Sequence, residues 1–265
     1  MKNFALLTGT FVLFVLVCLS ISCRKPPPEP QKPKLIPTFV MDIDSNIYNV
    51  KRFENKLWMT ENLKVTRYDT ESPRSGDTVS NAQQIKPAGI QTPYYTDARD
   101  FTESPYTDGL TNEIRRSLGL LYNWSAAAGT TENNTSIGEK VQGICPNGWR
   151  LPTSADFDNL CSLFGGKEKA GSALKSAYGW FTIAGTNESE MNCYPAGLAT
   201  GNWLVSMMGQ QTMFWTSKNQ IGNNTKAEVL RLFFNQDKAE VISVTKIQAN
   251  SVRCVMDLDS TFVGF

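Results

Sequence analysis

Six cysteines and no histidine define the chemistry open to this 265-residue chain. Without an imidazole there is no ordinary general base near neutral pH, no Ser-His or Cys-His nucleophile pair, and none of the commonest zinc ligand. Carboxylate pairs remain, but no spacing of Asp and Glu singles one out. The cysteines differ by context. Cys18 lies in an uncharged run, residues 4–22, that follows Lys2 and reads as an export signal. Cys23 stands directly after Ser20-Ile21-Ser22, where a lipoprotein signal peptidase acylates a thiol and cuts before it. Ser20 holds a position where such boxes usually have Leu, and an uncleaved membrane span is the competing reading. Cys145, Cys161, Cys193 and Cys254 remain. An even number in an exported chain suggests disulfides. Four cysteines allow three pairings, and spacing does not choose between them. No C-x-x-C pair exists, which argues against zinc, and no cofactor is implied.

The other candidates are binding residues. Asp42 and Asp44 sit in a D-x-D-x-N run that resembles the start of a calcium loop. The Gly and distal Glu of an EF-hand are missing, so a solvated turn is the reading. The Gly-rich stretch LATGNWLVSMMGQQT holds Trp203, Met207 and Met208. One aromatic and two methionines on a loop suit an adaptable binding surface, and they suit equally a loop folded over the core. The polar run KNQIGNNTK, with Asn219 and Asn223, reads as an exposed loop at the same end. Of the 26 Lys and Arg only Lys2 lies in the export signal, so the mature chain balances its 25 Asp and Glu. That balance argues against nucleic acid and against an anionic membrane face as partners.

These residues need elements to position them. Residues 24–37, RKPPPEPQKPKLIP, cannot bury a core and run extended as a semi-rigid spacer. The chain thus divides into a signal (1–22), a lipidated Pro-rich linker (23–38), one domain (39–257) and a tail (258–265). Residues 39–49 read as two short strands around a turn at Asp44-Ser45-Asn46, and residues 50–57 continue the ribbon. Residues 66–109, rich in Thr, Ser, Asp, Pro and Gly, read as long loops with little regular structure. Thr111 caps a short helix with Ile114 and Leu118 inward. The clearest helix follows Leu151-Pro152, where Thr153 precedes Asp156 by three as in a capping box. Phe157, Leu160, Cys161 and Phe164 fall on one helical face, and Gly165-Gly166 ends the helix. A weaker helix runs through Ala170, Leu174 and Ala177. Strands follow at 213–216, 228–235, 240–245 and 251–256, with Leu230, Leu232 and Phe234 alternating as for one buried face. The pattern is α+β: two short helices, an antiparallel sheet and long loops.

Two groups of segments carry a resemblance: MDIDSNIYNV with LWMTENLKVTRY, then GLLYNWSAAAG, CPNGWRLPTSADFDNLCSLFGG, LKSAYGW, YPAGL, FWTS and SVRCV. In order and spacing they resemble the Fibrobacter succinogenes major paralogous domain, a family of exported proteins frequent in Bacteroidetes. That family looks like a relative of the formylglycine-generating (sulfatase-modifying-factor-like) and C-type-lectin-like folds. The resemblance implies a single C-type-lectin-like domain with disulfides Cys145–Cys254 and Cys161–Cys193, an unpaired core thiol being the alternative for Cys161. The reactive cysteine pair of formylglycine-generating enzymes is missing here, as are the Glu-Pro-Asn loop and Trp-Asn-Asp strand of calcium-dependent lectins. The implied function is therefore a non-enzymatic outer-membrane lipoprotein, a binding or accessory subunit for a glycan, a peptide or a partner protein. Its neighbours would be an outer-membrane nutrient transporter or other surface lipoproteins. Such a protein sits at the cell surface rather than the periplasmic face, although Arg24 and Lys25 stand where surface-export signals are acidic. A structural or adhesive component and an enzyme on a formylglycine-generating-like scaffold are the alternatives.

Overall fold

The computed structural model describes residues 33–85, 92–98, 114, 117–130, 140–201, 203–219 and 223–263. The export signal, Cys23, most of the Pro-rich linker and Thr111 lie outside these. Regular structure begins before the proline content suggested. β1 (Lys34–Leu35) pairs in parallel with β14 (Phe262–Val263), and Ile36 is buried. Pro33 and Pro37 flank this pairing rather than interrupt it, so residues 34–36 and 258–263 belong to the domain.

β2 (Phe39–Met41) and β3 (Ile47–Phe53) are the expected ribbon, and Ser45 makes the turn at φ +65°. A second turn, with Glu54 at φ +53°, leads into β4 (Lys56–Met59), and β13 (Val255–Asp257) returns from the far end of the chain to pair with it. The antiparallel order is β13-β4-β3-β2. The other main sheet is an antiparallel meander of β10 (Gln211–Asn219), β11 (Lys226–Phe233) and β12 (Ala239–Thr245). Its middle strand departs from expectation. Leu230 and Leu232 are buried on one face, but Ala227 and Val229 are buried on the other. A strand sealed on both faces loses the polar side that the alternation implied.

Residues 66–109 also hold more structure than their composition suggested. β5 (Ser80–Asn81) leads into a single helical turn, α1 (Ala82–Ile85). β6 (Tyr94–Asp97) pairs with β5 and with β7 (Leu120–Tyr122). A small hairpin joins β8 (Leu198–Ala199) and β9 (Val205–Ser206). Helices are short but more numerous than the two expected. α2 (Trp124–Ala128) is capped by Asn123, whose side chain accepts from Ala126 N, and stopped by Gly129 in the left-handed conformation. α3 (Ser154–Ser162) carries the full capping box between Thr153 and Asp156. α4 (Ala170–Leu174) ends earlier than the pattern implied, because Lys175 turns extended at ψ 140°.

Strand β10 divides the interior. Trp215 points into a core with Tyr48, Leu57, Trp124 and Val229, while Phe214 points into a second with Trp58, Phe157, Leu160 and Leu230. Helix α3 presents Phe157 to Trp58 at 5.2 Å between ring centroids. A third, smaller core lies under the β8–β9 hairpin and includes Tyr94, Leu121 and Met208. Cys145 and Cys254 are joined within the first core, with Cα atoms 5.9 Å apart. Cys161 and Cys193 are free buried thiols, which corrects the expected second bridge. Cys161 lies on the buried face of α3 and packs as a small apolar side chain in the second core.

Candidate functional site

A cleft of about 250 Å³ lies between the β2–β3 turn and the β5–β6–β7 sheet, lined by Asn46, Lys64, Thr66, Asn81, Tyr95, Asp97, Gly119 and Leu120. Its walls follow from local chemistry. Asp42, expected in a solvated turn, is buried and holds that turn together. Its Oδ1 accepts from Asp44 N and Asn46 N at 2.9 Å each, and its Oδ2 accepts from Asn46 Nδ2 at 2.9 Å and from the Tyr48 hydroxyl at 2.5 Å. Burial first, and Asp42 next, push Tyr48 far above the ordinary tyrosine range, so its hydroxyl stays a donor. Asp44 is equally committed. It accepts from Thr66 N at 2.6 Å, Thr66 Oγ1 at 2.9 Å and Arg67 Nε at 2.5 Å. Burial raises the Asp44 carboxyl, but the Thr66 and Arg67 bonds outweigh it and leave the group below its usual range. All four lone-pair sites of Asp42 and three of the four on Asp44 are engaged, which suits the pair poorly to gathering a calcium ion. Lys64 lies over the Tyr48 ring at 5.5 Å, which positions its ammonium at the cleft.

Strand alternation supplies the rest. Tyr95 and Asp97 share one face of β6 and line the cleft, while Tyr94 and Thr96 face the third core. Thr96 Oγ1 donates to the Trp203 carbonyl at 3.4 Å. Trp203 therefore sits behind β6, on the side away from the cleft. It is half-buried at φ +61°, packs on the third core, and its indole N–H is sealed without a partner among the described residues. Met208 is buried, and Met207 is half-buried at φ +59°. Of the two readings left open for this stretch, the loop folded over the core is the one adopted. Asn219 is buried at the end of β10. The Asn223 side chain accepts from Thr225 N at 2.9 Å and Thr225 Oγ1 at 2.7 Å, a local turn. Trp203, Met207, Met208, Asn219 and Asn223 are thus not gathered around one opening. The cleft residues Lys64, Asn81, Tyr95 and Asp97 escaped the sequence reading. The one signal for β6 was the strand propensity of Tyr94-Tyr95-Thr96, inside a stretch whose composition reads as loop; nothing local marks Lys64 or Asn81.

Two further sets of charged groups are structural. Arg150 donates from Nη1 to Asp156 at 2.7 Å, and from Nη2 and Nε to Asp257 at 2.7 and 3.0 Å. Lys56 Nζ adds contacts to Asp257 at 2.8 Å and Asp156 at 3.3 Å. These ties bind α3 to the β4–β13 pair. Arg253 is fully buried with no carboxylate partner among the described residues. Its Nε donates to Asn62 Oδ1 at 2.9 Å, its Nη atoms reach the carbonyls of Met191 and Asn192, and its plane lies over Phe214 at 5.1 Å. Burial pushes the Cys161 thiol up to about 12, with Asp158 adding to the effect, and burial likewise raises Cys193 against the pull of Arg253. Neither is a nucleophile near neutral pH.

Fold and site together define a mostly β, disulfide-tied domain, with short helices packed on antiparallel sheets and a polar cleft at one sheet junction. The family model of the Fibrobacter succinogenes major domain matches residues 52–256, and the chain belongs to that family. Neither a curated protein nor a solved structure matches it significantly.

Proposed function

We propose that this protein is an exported lipoprotein, anchored at the outer membrane through Cys23, that binds a hydroxyl-rich or peptidic ligand and performs no catalysis. The observation that carries this reading is the cleft itself. Its amides, ammonium, carboxylate and hydroxyls converge beside one aromatic edge, a donor set suited to orienting a polar ligand rather than to transferring a proton. The absence of histidine, the sealed thiols and the engagement of Asp42, Asp44, Asp156 and Asp257 in structural bonds support a role without chemistry. We read the architecture as lectin-like. Helix α3 opening after the RLPT run, and the bridge from Cys145 to the terminal Cys254, support that reading.

Glycan and peptide arrays followed by calorimetry test it. The wild type should bind one class, and Tyr95→Ala or Asp97→Asn should weaken binding at least tenfold. Trp203→Ala, placed behind β6, should leave affinity nearly unchanged. Binding that survives both cleft substitutions but is lost with Trp203→Ala would move the site to the β8–β9 hairpin. An accessory role beside a nutrient transporter is tested separately, by mild-detergent capture from native membranes: stoichiometric recovery of a transporter supports it, and recovery of the lipoprotein alone argues against it.

A further inference from the structure

The sheet β13-β4-β3-β2 is covered unevenly. One face points into the first core through Val40, Tyr48 and Leu57, with exposed Arg52 beside Leu57 at its end. The other carries Trp58, which pairs with Lys51 and is roofed by Phe157 of α3. Followed outward from Lys51, that second face continues through Asn49 and Ile47 on β3 to Phe39 and Met41 on β2, since Phe39 pairs with Asn49 and Met41 with Ile47. Helix α3 does not reach this far. Phe39, Met41 and Ile47 are 54%, 58% and 56% exposed, and Leu35 on β1 is 79% exposed. β2 is also the outer strand of its sheet among the described residues. Its sequence, Phe-Val-Met, carries no charge; its shortness and Pro37 just before it limit edge pairing but leave the apolar side chains bare. Contiguous apolar side chains left bare at a sheet edge mark a contact surface.

We infer that a lipid surface covers it, and that Phe39, Met41 and Ile47, with Leu35 nearby, rest on the bilayer that holds the anchor. This rests on the acylation of Cys23 proposed above. Only residues 24–33 separate Cys23 from β1, and a Pro-rich extended chain of that length spans about 30 Å. That reach keeps the elements next along the chain close to the anchor. The linker also concentrates cations the chain as a whole does not have in excess: Arg24, Lys25, Lys32 and Lys34 against Glu29 alone. Basic residues beside bare apolar side chains are the pattern of an interfacial contact, the cations meeting headgroups while the apolar groups enter the acyl boundary.

The test uses the full chain, exported and processed in a diderm host and reconstituted into vesicles of phosphatidylethanolamine and phosphatidylglycerol, with and without lipids brominated on the acyl chain. Phe39→Trp adds a reporter at an exposed position, and Met41→Trp is the second variant should the first misfold. Tyr178→Trp, on a residue 71% exposed outside this face, is the comparator. Brominated lipid should quench at least half of the emission added at position 39 or 41, with a blue shift, and leave that at 178 unquenched. Unquenched emission at 39 and 41 in a protein whose Cys23 carries acyl chains by mass spectrometry would overturn the lipid face while leaving the anchor intact. Equal quenching at 178 would also overturn it, because lipid contact would then not be confined to this face. A Cys23 without acyl chains, in a protein that does not float with vesicles, would overturn the anchor and this inference together.

Discussion

Replacing Arg150 with Met should cost this domain about 3 kcal/mol. The guanidinium is nearly buried and ties Asp156, itself buried, to Asp257 through bonds of 2.7 to 3.0 Å, with a further bond to the Leu151 carbonyl at 3.0 Å. Removing one partner of a buried pair costs about 3–5 kcal/mol, because a charge is left without compensation in a poorly polarisable interior. The lower end applies here. Asp257 is about a third exposed, and Lys56 still reaches both carboxylates. In urea the midpoint should fall by about 1 M or more with an unchanged slope. The pH dependence separates charge from packing. Burial raises Asp156, but the bonds from Arg150 and Thr153 outweigh it, and the Arg150 bonds hold Asp257 well below the carboxylate range. Carboxylates with depressed folded values stabilise fully above their unfolded values, near about 3.9, and lose that contribution as pH falls through the folded ones. The gap between wild type and Arg150→Met should therefore be widest above about pH 5 and shrink toward pH 2. A gap that stayed constant over that range would refute the electrostatic account and leave only lost packing.

Three further outcomes follow from particular residues. The Cys145→Ala/Cys254→Ala variant opens a bridge of sequence separation 109 and should lose about 4–5 kcal/mol on the chain-entropy model, read as a lowered urea midpoint without reductant. Thiol titration of the mature, acylated, unreduced protein should count two groups once denatured and none while native; a count of zero after denaturation would mean that Cys161 and Cys193 bond in the envelope. Gly143→Ala should destabilise by more than about 2 kcal/mol, because a Cβ there would lie 2.0 Å from the Ala127 carbonyl oxygen, whereas Gly76→Ala, with open space around it and φ +86°, should cost only about 1 kcal/mol of backbone strain. Equal losses at the two glycines, measured by thermal denaturation, would refute the close approach at Gly143.

What the sequence showed of the fold depended on how locally each feature is determined. The capping box at Thr153–Asp156 and the apolar face Phe157-Leu160-Cys161 need only neighbouring residues, and they specify α3 closely. The β2–β3 ribbon is equally local. β10 and β11 were visible as strands, but the burial of both faces depends on two separate cores meeting at β10, which no period-2 pattern within one strand encodes. β6 was lost for the opposite reason. Its flanks are rich in turn-forming residues, and it is a strand because β7 and β5 lie beside it. The cleft was lost with it, since two of its walls are residues of β6.

Several of the segments that carry the family resemblance are the ones least available to a ligand. In CPNGWRLPTSADFDNL, Arg150 and Asp156 are spent on each other, on Asp257 and on the helix cap, and Phe157 is spent on Trp58. In FWTS, Trp215 donates to the Tyr122 carbonyl at 2.7 Å and packs edge-on against Trp124 at 5.3 Å. In SVRCV, Arg253 and Cys254 are fully buried, one binding carbonyls and the other bridged. A signature built from mutually satisfied interior groups specifies how the chain folds and is silent on what the folded domain binds. The family assignment and the proposed cleft overlap in part: MDIDSNIYNV, LWMTENLKVTRY and GLLYNWSAAAG carry the resemblance and also line the cleft, through Asn46, Lys64, Thr66, Gly119 and Leu120. Asn81, Tyr95 and Asp97, cleft residues outside every one of those segments, are the place to test for selectivity under the proposed binding role.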